Sequence, residues 1–302
     1  MRMKSINKSW IGIGLLEECN FSCVHCSRYD APMYPGYKLS FEQMKLCLSD
    51  CQDLHSVQGI HFTGGEPTLW TDGNSEFVDL LIEVSKADIN PCFTTNGSHF
   101  VDYQKCNDFF LQYLDDSSKP LDIFISIDTF HRNLDVESRA GSLPVKKGRS
   151  NSLDDVIKYK RLGLSSGAYR NQMPPENGKL LNIIVVVVVS KDFNSLLPDE
   201  MVKHYEYLGL AFNFIPLQLK GKAKSLSHLC PSLKSDKPED LGAYYRFHQQ
   251  KKKRKRDANN HIVLFDNDYY LASYIDGKVR LRKFARLGHL QETLTENEYV
   301  KD

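Results

Sequence analysis

The sequence SWIGIGLLEECNFSCVHC, residues 9–26, joins a short apolar run to three closely spaced cysteines, Cys19, Cys23 and Cys26. The apolar run stops at Glu17 and Glu18 without a small-residue cleavage site, so we interpret it as a β-strand and not as a signal peptide. The sequence therefore places a loop of three thiols directly after the end of a strand. Residues 19–26 are called the cysteine loop below.

Apolar, β-branched runs alternate with amphipathic segments through the next two hundred residues. Near-continuous apolar strands separated by helices indicate a parallel sheet whose outer face is covered by helices. Six such units are fewer than the eight of a closed barrel, so we predict an α/β fold built as a partial (β/α)6 barrel. The predicted strands are 9–16, 59–63, 89–95, 121–127, 181–189 and 212–217, and the predicted helices are 41–54, 76–87, 103–114, 153–162 and 199–208. Ser40 and Gln43 form a candidate capping box for the first helix.

The alternation stops after residue 217, where we predict a second region. A helix-like stretch at 241–250 leads into the basic run 251–256, and Asp276 and Gly277 separate two segments that read as a β-hairpin, 269–275 and 278–282. We therefore expect a barrel core at 1–219 and a small C-terminal α+β cap at 220–302.

Composition and charge exclude several classes of protein. A net charge of +1 over 302 residues provides no general attraction to nucleic acids or acidic membranes. The longest later apolar run, residues 180–189, is too short for a membrane helix, which needs about 20 residues. We therefore expect a cytoplasmic protein with neither a membrane nor a nucleic acid as its partner. The basic run 251–256 is either a solvated segment or an electrostatic contact for an acidic peptide or RNA.

The cysteine loop predicts metal chemistry. A cubane iron–sulfur cluster normally takes four thiolates, so three cysteines leave one iron open, and an open coordination position is what metal catalysis requires. A zinc site that adds His25 or a distant ligand to the three cysteines is the alternative. The other cysteines are interpreted as buried thiols (Cys47, Cys51 and Cys92) or left unassigned (Cys106 and Cys230).

The CxxxCxxC spacing resembles the signature of the radical S-adenosylmethionine (SAM) superfamily, and further motifs follow in that family's order. These are GGEP at 64–67, TTNG at 94–97, SID at 126–128, Asn182 with the run 185–190, and Pro216 with 221–223. The resemblance covers residues 8–223. It implies that Cys19, Cys23 and Cys26 hold one 4Fe–4S cluster and that SAM is bound by Gly64, Gly65, Glu66, Asn96, Ser126, Asp128, Asn182 and Ser190. In the family, the GGEP turn holds the methionine amino group of SAM.

The same resemblance implies an activity. In the family, a low-potential donor such as a ferredoxin or flavodoxin supplies one electron, and SAM is cleaved to a 5′-deoxyadenosyl radical that removes hydrogen from a substrate. Residues 276–279 and 288–290 are similar to the SPASM or twitch extension of peptide-modifying members, but Arg282 stands where a cluster cysteine is expected. We therefore expect a peptide or protein side chain as substrate and a cap without an auxiliary cluster. A nucleotide or other small metabolite as substrate, and a non-catalytic metal-binding protein, are the alternatives.

Overall fold

The computed structural model describes residues 9–21, 23, 25–26, 35–53, 57–101, 103–126, 181–189, 211–217, 225, 261–265, 267–275 and 278–289. Eleven strands and three α-helices lie in these ranges, together with two 3₁₀ helices at Pro67–Leu69 and Ser98–Val101. The strands are β1 (Ser9–Leu16), β2 (Val57–Gly64), β3 (Thr71–Asp72), β4 (Ser75–Glu76), β5 (Asn90–Thr95), β6 (Leu121–Ser126), β7 (Leu181–Val189), β8 (Ala211–Pro216), β9 (His261–Phe265), β10 (Asp268–Ile275) and β11 (Lys278–Arg286). The helices are α1 (Phe41–Asp53), α2 (Phe77–Lys86) and α3 (Tyr103–Asp116).

One large sheet contains nine of these strands in the order β11-β10-β9-β1-β2-β5-β6-β7-β8. All neighbouring pairs from β9 to β8 are parallel, as the alternating strands and helices of the sequence predict. The six predicted barrel strands are confirmed, each to within two residues at either end, and so are the first three helices. The predicted helices at 153–162, 199–208 and 241–250 lie outside the described ranges.

The sheet has a helix-covered face and an opposite, inner face. Phe62 of β2 and Phe93 of β5 pack edge-on against Phe77 of α2, with ring centroids 5.6 and 5.1 Å apart. Because successive strand residues point to opposite faces, the residues next to these phenylalanines point to the inner face. Two hydrogen bonds confirm the predicted capping box of α1, from Ser40 N–H to Gln43 Oε1 (2.7 Å) and from Gln43 N–H to Ser40 Oγ (3.1 Å).

The described strands of the C-terminal region extend this sheet. β9 pairs with β1 in parallel, with Ile11 opposite Ile262, and the predicted hairpin is present as the antiparallel pair β10 and β11. The buried Asp50 carboxylate of α1 accepts hydrogen bonds from the Tyr269 hydroxyl (2.9 Å) and from Gly288 N–H (2.8 Å). The hairpin is therefore attached to the core both through the sheet and through α1. No helix in the described part of the chain is long and apolar enough to span a membrane.

Candidate functional site

The turn after β2 packs directly on the chain that leads into the cysteine loop. Gly64 has a positive φ of 119°, and a Cβ on Gly65 would lie 1.7 Å from the Glu18 carbonyl oxygen, so only glycine fits at either position. Backbone hydrogen bonds from Gly65 N–H to Leu16 O (2.7 Å) and from Glu66 N–H to Glu18 O (2.8 Å) continue the β1–β2 pairing past the strand ends. Both glycines are therefore required by close contact with the protein's own backbone.

Glu66 projects from this turn into the protein, where its residue is 1% exposed. Its Oε1 accepts hydrogen bonds from Thr68 Oγ1 (2.7 Å), Thr68 N–H (3.3 Å) and Thr95 Oγ1 (2.6 Å), and its Oε2 accepts one from Asn96 N–H (2.8 Å). Burial raises the pKa of the Glu66 carboxyl, and these four hydrogen bonds oppose the rise. The side chain therefore joins the ends of β2 and β5.

Asn96, on the turn after β5, connects this carboxylate to the cysteine loop. Its amide nitrogen donates to Asn20 Oδ1 at 2.8 Å and lies 3.9 Å from Cys19 Sγ, while Ser98 N–H donates to its Oδ1 at 2.9 Å. Asn20 in turn donates to Ser98 Oγ at 2.8 Å. A continuous hydrogen-bonded network thus runs from Glu66 through Asn96 to the first cysteine.

The three cysteines of the cysteine loop are half-buried thiols outside any disulfide. Cys19 Sγ accepts a hydrogen bond from Phe21 N–H at 3.4 Å, and a backbone hydrogen bond from Cys26 N–H to Cys23 O (3.2 Å) makes a turn between the other two. No three His, Cys, Asp or Glu side chains in the described ranges are gathered closely enough to hold a metal ion. The donors nevertheless fit an iron–sulfur cluster, because they are thiols outside any disulfide and Cys19 has N–H groups around its sulfur.

The remaining predicted SAM-binding residues separate into three groups. Ser126 ends β6 on the inner face, at the same edge of the sheet as Asn96. Asn182 needs a correction, because it lies near the start of β7, pairs with Asp122 in register, and donates to Asp122 Oδ1 at 2.8 Å. It is thus at the opposite end of the strand from the site, and Val186 is the β7 residue beside Ser126. Asp128 and Ser190 lie outside the described residues.

Three residues that the sequence analysis did not select complete the network. Thr68 and Thr95 orient the Glu66 carboxylate, and Asn20 joins Asn96 to the cysteine loop. All three lie within or beside the motifs at 19–26, 64–67 and 94–97. Their polar side chains within or beside those motifs were the signal in the sequence that could have identified them as site residues.

A fourth polar group lies deeper on the inner face. His61 Nε2 of β2 is 2.8 Å from Thr94 Oγ1 of β5, and its ring lies 5.5 Å from the Phe124 ring of β6, centroid to centroid. These side chains lie closer to the middle of their strands than the network around Glu66 does. They form a polar and aromatic wall beneath the strand ends.

Comparisons with known proteins concern the family and the fold of this chain. Residues 14–159 match the family model described as the Radical SAM superfamily, whereas no curated protein matches the chain. The structure of native anSMEcpe with bound AdoMet and Kp18Cys peptide is 16% identical, with a TM-score of 0.56 over 96% of this chain and 80% of that chain. Streptococcus suis SuiB bound to S-adenosylmethionine is 18% identical, with a TM-score of 0.49 over 86% of this chain and 51% of that chain. The chain thus spans about half the length of SuiB. At 16% identity, the likeness to anSMEcpe shows the fold.

Proposed function

Because the chain belongs to the radical SAM superfamily, through the domain at residues 14–159, we propose that it is the catalyst of hydrogen abstraction from a peptide or protein side chain. The family uses a 4Fe–4S cluster and SAM, which are the cofactors of this enzyme. When bound and reduced, they supply a 5′-deoxyadenosyl radical that removes a hydrogen atom from the substrate. The protein's own residues bind and orient these groups and exclude water.

The single observation that carries the proposal is the hydrogen-bonded network from Glu66 to Cys19. In this network the GGEP turn, the TTNG turn and the cysteine loop, which are far apart in sequence, meet at one edge of the sheet. Cys19, Cys23 and Cys26 would hold the cluster through their thiolates. The amide of Asn96 and the backbone N–H of Phe21, both near Cys19 Sγ, would stabilise negative charge on that sulfur.

Glu66 and the backbone of Gly64 and Gly65 would hold the methionine amino group of SAM. Glu66 Oε1 accepts three hydrogen bonds, whereas Oε2 accepts one from the residues that the structure describes, so Oε2 keeps acceptor capacity for an ammonium N–H. An ammonium beside this buried carboxylate would favour its charged form and so offset the cost of burial. Ser126, at the end of β6, would face the ribose.

A peptide substrate is supported by the fold and by the inner face. One structure with the same fold, anSMEcpe, contains a bound peptide according to its description. In this chain, His61, Thr94 and Phe124 form a wall below the strand ends that presents both hydrogen-bonding and aromatic groups. A side chain that enters from the strand ends would meet this wall next to the proposed SAM site.

Anaerobic reconstitution tests the cofactor part of the proposal. The parent protein should hold about four irons and four sulfides, since three thiolates suit one cubane cluster, and should release 5′-deoxyadenosine from SAM with dithionite. Changing Cys19, Cys23 and Cys26 together to Ala should abolish both. Cys106→Ala is the matched control, because this buried thiol of α3 lies outside the cysteine loop, and it should retain both. Stoichiometric zinc without iron would instead support a metal-binding protein.

Isotope transfer tests the substrate class. Deuterated peptides should pass deuterium into 5′-deoxyadenosine and raise its mass, because hydrogen is abstracted directly from the substrate. A cluster-loaded protein that cleaves SAM, but takes deuterium only from a nucleotide or metabolite pool, would contradict the peptide assignment and leave the radical activity intact.

A further inference from the structure

The large sheet ends in a long and strongly basic strand, β11. It is the last strand in the sheet order and, within the residues that the structure describes, it pairs with β10 alone. The sequence of this strand is KVRLRKFAR, with no acidic residue, although the whole chain has a net charge of only +1. Its basic residues are Lys278, Arg280, Arg282, Lys283 and Arg286. Positive charge is therefore concentrated at one edge of the sheet.

Three of these residues form a row on one face of β11. Lys278, Arg280 and Arg282 occupy alternate positions, and alternate residues of a strand lie on the same face about 6.8 Å apart. Arg282 is exposed and makes no ion pair with a carboxylate in the described ranges, whereas Lys283, on the opposite face, pairs with Asp268 at 2.5 Å. The row therefore places positive charge at regular intervals along the edge.

The main chain of β11 has hydrogen-bonding capacity that β10 does not use. In an antiparallel pair, alternate residues direct their N–H and C=O groups away from the partner strand. No strand of the described part of the chain pairs with that outer side of β11. Natural proteins often keep edge strands short, because an open edge invites pairing with another chain, yet β11 has 9 residues and is about 27 Å long. An added strand could form main-chain hydrogen bonds over this length.

The charge pattern indicates what kind of strand fits the edge. Lysine and arginine oppose pairing between two copies of the same strand, because like charges on adjacent strands repel. The same charges favour an extended segment with carboxylates at alternate positions, since opposite charges would then face each other across the pair. Addition of a strand to a sheet edge is a common way to bind an extended peptide. The edge therefore fits an acidic peptide better than a second copy of this chain.

The direction of β11 connects this edge with the candidate site. β10 is antiparallel to both β9 and β11, and β9 is parallel to β1, so β11 runs in the same direction as β1. The C-terminal end of β11 therefore lies at the edge of the sheet where the cysteine loop follows β1. Three strand-to-strand steps separate the two strands, about 14 Å along the sheet at ~4.8 Å a step. About four or five extended residues, at ~3.3 Å each, would cross that distance.

We infer that β11 binds an extended acidic segment of the peptide substrate by strand addition, with carboxylates opposite Lys278, Arg280 and Arg282. The inference rests on the proposed function, because it takes a peptide as the substrate. It adds a docking surface outside the site that contains the cysteine loop and Glu66. In such a substrate, about four or more residues separate the acidic segment from the side chain that reacts.

Fluorescence anisotropy with labelled peptides tests the inference on the reconstituted full-length protein without turnover. The probe is a nine-residue peptide of alternating threonine and glutamate. One control peptide has the same composition with its glutamates consecutive, and the other is the fully N-methylated form of the probe. The probe should bind the parent protein more tightly than either control. The N-methylated form should bind at least about tenfold more weakly, because it has no main-chain N–H donors.

Two double variants separate the row on β11 from a general effect of charge. Arg280→Gln with Arg282→Gln should weaken probe binding roughly three- to tenfold, as expected for two exposed ion pairs. Lys86→Gln with Lys105→Gln is the matched control, because it removes two exposed positive charges from α2 and α3, and it should leave the affinity unchanged. Both variants should release 5′-deoxyadenosine from SAM as the parent does, since neither changes the cysteine loop.

Several outcomes would overturn the inference. Equal binding of the probe and both control peptides, or no binding of any, would exclude strand addition. Equal losses of affinity in the two double variants would show a general attraction of charge. A parent dimer in sedimentation that the Arg280→Gln, Arg282→Gln variant no longer forms would make a second copy of this chain the occupant of the edge. A parent that binds no iron and cleaves no SAM would instead refute the proposed function, independently of peptide binding.

Discussion

Gly65→Ala tests whether the GGEP turn and the cysteine loop are built as one unit. The new Cβ would lie 1.7 Å from Glu18 O and 2.8 Å from Glu17 O, and backbone atoms cannot move aside as the end of a flexible side chain can. The turn must therefore separate from the chain that leads into the cysteine loop. Two backbone hydrogen bonds, Gly65 N–H to Leu16 O and Glu66 N–H to Glu18 O, would be lost or lengthened.

The size of the effect follows from these contacts. Each lost hydrogen bond costs about 0.5–1.5 kcal/mol, and the overpacking costs a further ~1–3 kcal/mol. The free energy of unfolding of the apo protein should therefore fall by roughly 2–6 kcal/mol, a large part of the roughly 5–15 kcal/mol typical of a domain. Iron uptake should also fall, because the first cysteine is displaced from Asn96.

Urea unfolding followed by circular dichroism, together with iron analysis after reconstitution, measures both effects. Gly12→Ala is the matched control, because a Cβ on this β1 glycine meets nothing closer than 3.8 Å. It should be neutral or stabilising by up to about 1 kcal/mol, since alanine restricts the unfolded chain. If Gly65→Ala unfolded within about 0.5 kcal/mol of the parent and took up full iron, the packing of the turn on the loop would be refuted.

Three further outcomes are expected. Burial raises the pKa of the Glu66 carboxyl above its ordinary value of 4.5, so the folded protein binds the carboxyl proton more tightly than the unfolded protein does. This contribution to the free energy of unfolding falls as pH rises through the raised pKa. Glu66→Gln should remove that part of the pH dependence of the free energy of unfolding, which urea unfolding at several pH values measures. Tyr269→Phe leaves the buried Asp50 carboxylate one donor short and should lower the free energy of unfolding by about 1–3 kcal/mol, which an unchanged urea midpoint would contradict. Since burial raises the pKa of Cys106 to about 12, iodoacetamide at pH 8 should alkylate the cysteine loop of the apo protein well before Cys106, as peptide mass mapping would show.

Much of the barrel could be predicted from the sequence because its signals are local. The run 181–189 is apolar except for Asn182, as expected for a strand covered on both faces, and it forms β7 with the predicted ends. The Ser40–Gln43 capping box is likewise made within one helical turn. The turn glycines at 64 and 65 were recognisable because only glycine permits so close an approach of two backbones.

The position of a side chain along a strand was less predictable. Asn182 was selected because it belongs to the right strand, yet it lies at the wrong end of it. The level that each residue occupies depends on the register between strands, and that register is determined by contacts between distant segments.

The succession of strands and helices along the chain, the glycine turn and the three thiols follow from the sequence alone, since they depend on residue type and on neighbours within a few positions. Only in the folded sheet does Glu66 bind Thr95 and Asn96, 29 and 30 residues further along the chain. The same holds for β9, which joins the sheet beside β1 and carries the C-terminal hairpin at its other edge. The physical reason is that a buried carboxylate or an open strand edge must find hydrogen-bonding partners. Which partners it finds is settled only when the whole sheet has assembled.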